Sequence, residues 1–264
     1  MSATYLDTIV AWHRRRAAAD DREWSTRHVH RSQVPSLGET LLAHRSFGNA
    51  VIAEVKRRSP SKGDLAASLI PGDLAQRYVA GGASAISVLT DAPHFGGSVE
   101  DLREVVAAVS VPVLRKDFTV SINDVLDTVE MGASCVLLIA AALERDELAE
   151  LLQVARDHGL DALVEVHDAT EAAHAVELGA SLIGVNQRDL HSFEVDARRA
   201  EIVAASLPSN VVRVAESGFH TSEAVARAAA AGFDAVLVGE AFVTAADVEN
   251  RVRDFVGHPI GGAR

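Results

Sequence analysis

The chain contains a single cysteine, Cys135, in 264 residues, which excludes an internal disulfide framework and fits a reducing compartment. Basic side chains are also scarce: 25 Lys and Arg against 37 Asp and Glu leave a formal net charge of −12. That balance argues against nucleic acid or an anionic membrane surface as the main partner, and leaves room for a small anionic substrate met by locally concentrated basic groups. Long apolar runs are missing. The longest are strand-length, far below the roughly 20 residues a membrane-spanning helix needs. The apolar Tyr5, Leu6, Ile9 and Val10 have helical spacing, and the basic run His13-Arg14-Arg15-Arg16 follows them instead of preceding them, so no signal peptide is expected. The eleven histidines show no H-E-x-x-H or comparable ligand spacing, so no metal site is expected. Together these absences predict a soluble cytoplasmic protein without nucleic-acid or membrane partners. Nothing in the sequence sets the oligomeric state; a monomer is the working reading.

What the chain does have is aliphatic material, 48% hydrophobic residues with only 5% aromatic, ample for a core. A repeat runs through it: a helical pattern ends at glycine, one small turn follows, then a run of aliphatics. It appears at Gly82-Ala83-Ser84-Ala85-Ile86, Gly132-Ala133-Ser134-Cys135-Val136, Gly159-Leu160-Asp161-Ala162-Leu163, Gly179-Ala180-Ser181-Leu182-Ile183 and Gly232-Phe233-Asp234-Ala235-Val236. Less regular strands fit at Val111–Lys116 and Val211–Ala215. With the strand opening at Val51, this makes eight strands recurring about every 25 residues, the length of one strand plus one helix. Helical patterns at Asp146–His158, Ala169–Leu178 and Ser222–Ala231 alternate with them. Eight equal units point to a closed α/β barrel, the TIM (β/α)8 fold. An open doubly wound sheet would favour a glycine-rich turn after its first strand, where this chain has Lys56-Arg57-Arg58-Ser59-Pro60. The expected layout is one domain over residues 1–264, with an N-terminal helical extension at 1–45 and the barrel at 51–256. In the extension, residues 2–20 suit one amphipathic helix. Ser36-Leu37-Gly38-Glu39 has capping-box spacing ahead of a second, starting near Glu39. Such helices must cover something, and a barrel end is a natural surface.

The stretch Val51–Gly63 organises the functional reading. Glu54 and Lys56 stand two residues apart near the end of an apolar strand and so face the same side. A structural ion pair would explain them alone, but later strands deliver more polar groups to the same end. Lys116 ends strand 3, Glu165 strand 5, Asn186 and Arg188 strand 6, Glu216 and Ser217 strand 7, and Gly239-Glu240 strand 8. The C-terminal strand ends of a (β/α)8 barrel carry its chemistry. The turns Ser217-Gly218 and Gly239-Glu240 sit where barrels frequently bind phosphate through backbone N–H groups. Lys56, Lys116 and Glu165 are the candidates for proton transfer. Glu165 lies among aliphatics, so burial should raise its pKa while nearby lysines pull it back. Arg188 has Asp189 or Glu216 as alternative partners. Cys135 reads as core, and Ser98-Val99-Glu100-Asp101 as a helix start. Phe95 and Phe118 are either loop packing or walls for a flat ligand.

In these segments the chain resembles the indole-3-glycerol phosphate synthase family. The likeness is carried by Ile52-Ala53-Glu54-Val55-Lys56-Arg57-Arg58-Ser59-Pro60-Ser61, Ser87-Val88-Leu89-Thr90-Asp91 with Phe95-Gly96-Gly97-Ser98, and Val113-Leu114-Arg115-Lys116-Asp117-Phe118. It continues in Leu163-Val164-Glu165-Val166-His167, Ile183–Leu190, Ala215-Glu216-Ser217-Gly218 and Val236-Leu237-Val238-Gly239-Glu240. The resemblance implies a phosphosugar substrate, 1-(2-carboxyphenylamino)-1-deoxyribulose 5-phosphate, turned over by ring closure, decarboxylation and dehydration without a cofactor. It implies Lys116 as general acid for ring closure and Glu165 as base in the dehydration. Lys56 would hold the substrate carboxylate or serve as an acid, and Glu54 would position the lysines. Ser59, Asn186, Arg188 and Glu216 would contact substrate, Phe95 and Phe118 would flank its aromatic ring, and Ser217, Gly218, Gly239 and Glu240 would cradle the phosphate. The leading helix would cover the barrel mouth.

The chain departs from the family pattern after Phe118. An aromatic and glutamine-containing turn, then an arginine-bearing helix, usually follows; here Thr119-Val120-Ser121-Ile122-Asn123-Asp124-Val125-Leu126-Asp127-Thr128 stands instead. No substrate contact is carried over to that loop. Two other readings remain at this point: an aldolase or isomerase of phosphosugars, with Lys56 or Lys116 as a Schiff base, and a non-catalytic phosphate-ligand binder.

Overall fold

The computed structural model describes residues 4–27, 29, 34–59, 62–188 and 195–261. Eight parallel strands close into a barrel: β1 (Ala50–Val55), β2 (Ala85–Leu89), β3 (Val113–Lys116), β4 (Cys135–Ile139), β5 (Asp161–Val166), β6 (Leu182–Asn186), β7 (Val212–Glu216) and β8 (Ala235–Val238), with β1 pairing both β2 and β8. Every strand expected from the repeat is present. At the helix ends, Gly82 and Gly232 adopt φ of 103° and 93°, left-handed values open to glycine because it has no Cβ.

Period-2 alternation sets the two faces of each strand. Val51, Ala53 and Val55 of β1 pack outward against the surrounding helices, whereas Ala50 and Ile52 point into the barrel. Leu114, Cys135, Leu137, Leu163, Leu182, Val214 and Leu237 fill the same interior, so it is a packed core and no pore. Cys135 is fully buried there, as expected. One step higher, the inward positions turn polar, at Glu54, Lys116, Glu165, Asn186 and Glu216.

Two leading helices close the two ends. Helix α1 (Tyr5–Ala18) starts at a capping box between Thr4 and Asp7. Helix α2 (Leu37–His44) begins two residues earlier than expected, because Ser36 is itself the N-cap and accepts from the Glu39 N–H. Ser36 also donates to Asp161 at the first residue of β5, at 2.8 Å. Leu37 and Leu41 join the interior cluster with Ala50, Cys135, Leu182 and Ala235, all at strand starts, so α2 plugs the N-terminal end. That leaves the opposite mouth to α1.

Candidate active site

All fourteen residues singled out in the sequence line one cup at the C-terminal mouth: Glu54, Lys56, Ser59, Phe95, Lys116, Phe118, Glu165, Asn186, Arg188, Glu216, Ser217, Gly218, Gly239 and Glu240. The register explains the gathering. Lys116 pairs with Leu89, Glu165 with Ile139 and Asn186 with Glu216, so the last inward position of each strand lies at a similar height. The sequence reading missed the apolar lining. Leu137, Ile139 and Leu237 form the floor, and Tyr5, Leu6 and Ile9 of α1 form part of the roof. For the roof, the helical spacing of the leading residues and the implied cover of the mouth by their helix had pointed the way; nothing had marked the floor.

The centre of the cup is a cation among carboxylates. Lys116 Nζ donates to Glu165 Oε2 at 3.0 Å and lies 3.4 Å from Glu216 Oε2. Asn186 Nδ2 donates to Glu165 Oε1 at 3.0 Å. Beside them Lys56 pairs directly with Glu54. Burial works against a charged Lys116, but Glu165, Glu216 and Glu54 outweigh it and hold the ammonium well above the ordinary lysine range. Burial likewise works to raise Glu165, yet Lys116, His167 and the Asn186 hydrogen bond win and bring it down to about 2. The pull expected from the lysine therefore prevails over desolvation. Glu216 goes the other way. Burial and the Glu165 carboxylate beside it outweigh the help of Lys116 and push it up to about 8. Its Oε1 has no hydrogen-bond partner among the described residues, consistent with a carboxyl that keeps its proton. Near neutral pH the cluster thus holds one ammonium, one carboxylate and one neutral carboxyl from these three side chains.

Two glycines make the room this requires. A Cβ on Gly184 of β6 would stand 2.0 Å from Glu216 Oε1, and one on Gly239 would stand 2.5 Å from Glu54 Oε1. At the side of the cup, Ser217 and Gly218 take successive left-handed conformations, φ 71° and 80°. This tight turn ends β7, a place where (β/α)8 barrels frequently hold a phosphate. Ser217 is the only non-glycine at positive φ among the described residues, a strain that clusters at functional sites. Glu240 would repel a phosphate, but Lys62 from the loop after β1 pairs with it. Arg188 lies at the rim, its N–H donating to Asn186 Oδ1 at 3.0 Å. Asp189, its alternative partner, lies outside the described residues, as do Pro60 and Ser61. Phe95 and Phe118 stand 6.1 Å apart at 33° and touch each other, so any flat ligand meets them as a continuous wall.

A profile of the indole-3-glycerol phosphate synthase family matches residues 6–255. The chain belongs to the indole-3-glycerol phosphate synthase family. The synthase of Mycolicibacterium vanbaalenii is 47% identical over 263 residues, covering 98% of this chain and 97% of that protein. The synthase of a Nocardioides species is 53% identical over 213 residues, covering 81% and 82%. Among solved structures, the thiamine phosphate pyrophosphorylase of Pyrococcus furiosus aligns with a TM-score of 0.59 at 16% identity, over 80% of this chain and 95% of that one. The N-acetylmannosamine-6-phosphate 2-epimerase of Clostridium perfringens gives 0.62 at 17%, over 80% and 93%. At that identity these two speak for the barrel alone.

Membership in the indole-3-glycerol phosphate synthase family makes the departure after Phe118 instructive. Helix α3 (Ile122–Glu130) grows from that segment and faces the leading residues of the chain. Arg16 pairs with Asp124 at 2.6 Å, Arg22 with Asp127 at 2.8 Å, and Arg27 with Asp127 at 2.7 Å and Glu130 at 2.9 Å. Arg27 also donates to Asn123 Oδ1 at 2.9 Å. The altered residues therefore hold the roof. At its other side, His13 Nε2 and His94 Nδ1 both meet Asp91 Oδ2, at 2.8 and 2.9 Å, in a buried group that no sequence spacing announced. His13 packs on the Phe118 ring at 5.3 Å, tying the roof to the wall of the cup.

Proposed function

We propose that this chain is an indole-3-glycerol phosphate synthase acting on 1-(2-carboxyphenylamino)-1-deoxyribulose 5-phosphate in the tryptophan pathway, and that it works in the cytoplasm as a single domain. The observation that carries the reading is the Lys116–Glu165 contact at 3.0 Å inside the covered cup. Lys116 is charged and so ready to give a proton to the ketone oxygen as the ring closes. Glu165 is ionised and so ready to take one in the dehydration. Each sits in the protonation state its role requires near neutral pH; the pKa close to the operating pH that efficient transfer also needs follows when substrate parts the pair. Lys56, paired with Glu54, meets the substrate carboxylate. Ser59, Asn186, Arg188 and Glu216 contact the substrate. Phe95 and Phe118 support the aromatic ring on one face. Backbone N–H groups at Ser217, Gly218, Gly239 and Glu240 hold the phosphate.

The aldolase alternative needs a neutral amine to form an imine. The acidic side chains around Lys116, Glu165 first among them, favour the ammonium, which disfavours it in that role. Borohydride added with substrate distinguishes the two readings, because only an imine is trapped. The synthase reading expects no trapped adduct on Lys56 or Lys116, and indole product from the untreated enzyme.

A further inference from the structure

Resting on the reaction proposed above, the proton balance of each turnover calls for a connection to solvent. Ring closure joins the carboxyl-bearing ring carbon to the ketone carbon, and the ketone oxygen takes a proton from the acid. Decarboxylation breaks the C–CO₂ bond and returns its electron pair to the ring. Dehydration breaks the C–O bond, the hydroxyl leaving with a second proton as water, while the base removes one proton from the carbon beside nitrogen and the new double bond forms. Two protons are given and one is taken back. Each turnover therefore draws one proton from solvent. Glu165 is 2% exposed, and Lys116 opens only toward the cup that substrate fills.

His167 lies on the opposite side of Glu165. It follows β5 and precedes Asp168, the N-cap of helix α4 (Ala169–Glu177). Glu171 in the first turn of α4 reaches back to accept from the His167 N–H at 2.7 Å, and its Oε2 also meets His167 Nδ1 at 3.2 Å. This orients the ring with Nε2 directed at Glu165 Oε1, 3.6 Å away. Nε2 is buried and has no hydrogen-bond partner among the described residues. A purely structural cap would need only the Nδ1 side, and an unpaired buried ring nitrogen costs free energy. Glu171 is one-quarter exposed, so the chain of groups ends in water.

We propose that Glu171 and His167 form a proton relay that recharges the Glu165–Lys116 pair from solvent. A proton taken up at Glu171 passes to His167 Nδ1, the imidazolium gives its Nε2 proton to Glu165, and Glu165 passes it to Lys116 across 3.0 Å. Rotation of the ring resets the tautomer. The groups facing His167 are Glu171 on α4, Glu165 on β5 and Glu216 on β7; together they outweigh burial and raise its pKa, so the charged form of the relay is accessible.

His167→Gln tests this, because the amide fits the site and cannot carry a proton through. The expected result is a 10- to 100-fold fall in kcat, an altered pH profile of kcat, and partial restoration by added imidazole. Glu171→Gln, a surface change, should give a smaller fall with the same altered profile. Wild-type enzyme is run alongside. Wild type forming indole product with His167→Gln at full rate overturns the relay alone. A slow His167→Gln with an unaltered pH profile and no imidazole response also overturns it, by assigning His167 a structural role. A wild type that forms no indole product overturns the synthase reading, and the relay with it.

Discussion

Lys116 on β3 and Glu165 on β5 meet at 3.0 Å although 49 residues separate them in the chain. Each fixes the charge of the other, so the pair is one unit. Glu165→Gln keeps the side-chain volume and the contact with Asn186 but removes the base. The expected outcome is a loss of kcat of about 10²- to 10⁴-fold with little change in KM, since the missing interaction acts in the transition state. Steady-state kinetics with a circular-dichroism check of folding measures it.

Glu216 should limit stability. Its folded carboxyl keeps its proton to about pH 8, whereas an unfolded one releases it near 4.5. The folded state therefore binds more protons in that window, and its contribution to stability falls as pH rises through it. Glu216→Gln removes the titration. Thermal midpoints should rise by a few degrees at pH 8.5 and change little at pH 4.5. An equal shift at both pH values would contradict the assignment.

Gly184 makes space for that carboxyl. Gly184→Ala sets a Cβ against the carboxyl of Glu216, which is buried and has little room to swing away. Overpacking of this kind costs about 1–3 kcal/mol, and displacing Glu216 disturbs Lys116 3.4 Å from it. A lowered midpoint with at least a tenfold loss of turnover is expected, read by differential scanning calorimetry and assay.

The roof is held by charge. Arg27→Ala removes the partner of Asp127, Glu130 and Asn123. Partly screened pairs are worth about 1 kcal/mol or less in sum, so KM should rise by up to about fivefold with kcat within twofold. Raising NaCl on the wild type should move KM in the same direction.

The barrel and the polar residues of the cup were legible in the sequence for one reason. Glu54, Lys116, Glu165, Asn186 and Glu216 stand out as charge or amide at the ends of otherwise aliphatic strands, and strand alternation fixes which way they face. Leu137, Ile139 and Leu237 carry no such contrast, since an apolar residue in an apolar strand reads as core whether or not a ligand touches it. The Arg16, Arg22 and Arg27 pairs with α3 join segments about 100 residues apart, where no periodicity links partners. The unusual residues after Phe118 were visible, but their role required knowing what lay opposite. Burial of Glu165 was foreseeable; that Lys116 would outweigh it, leaving the proton on Glu216, depended on distances between three strands.

The most direct test incubates the enzyme with 1-(2-carboxyphenylamino)-1-deoxyribulose 5-phosphate and follows the appearance of indole fluorescence, with Lys116→Met in parallel. Steady indole formation by the wild type, lost by orders of magnitude in a folded Lys116→Met, is the predicted result. No indole from the wild type, or near-full indole formation by Lys116→Met, would contradict it.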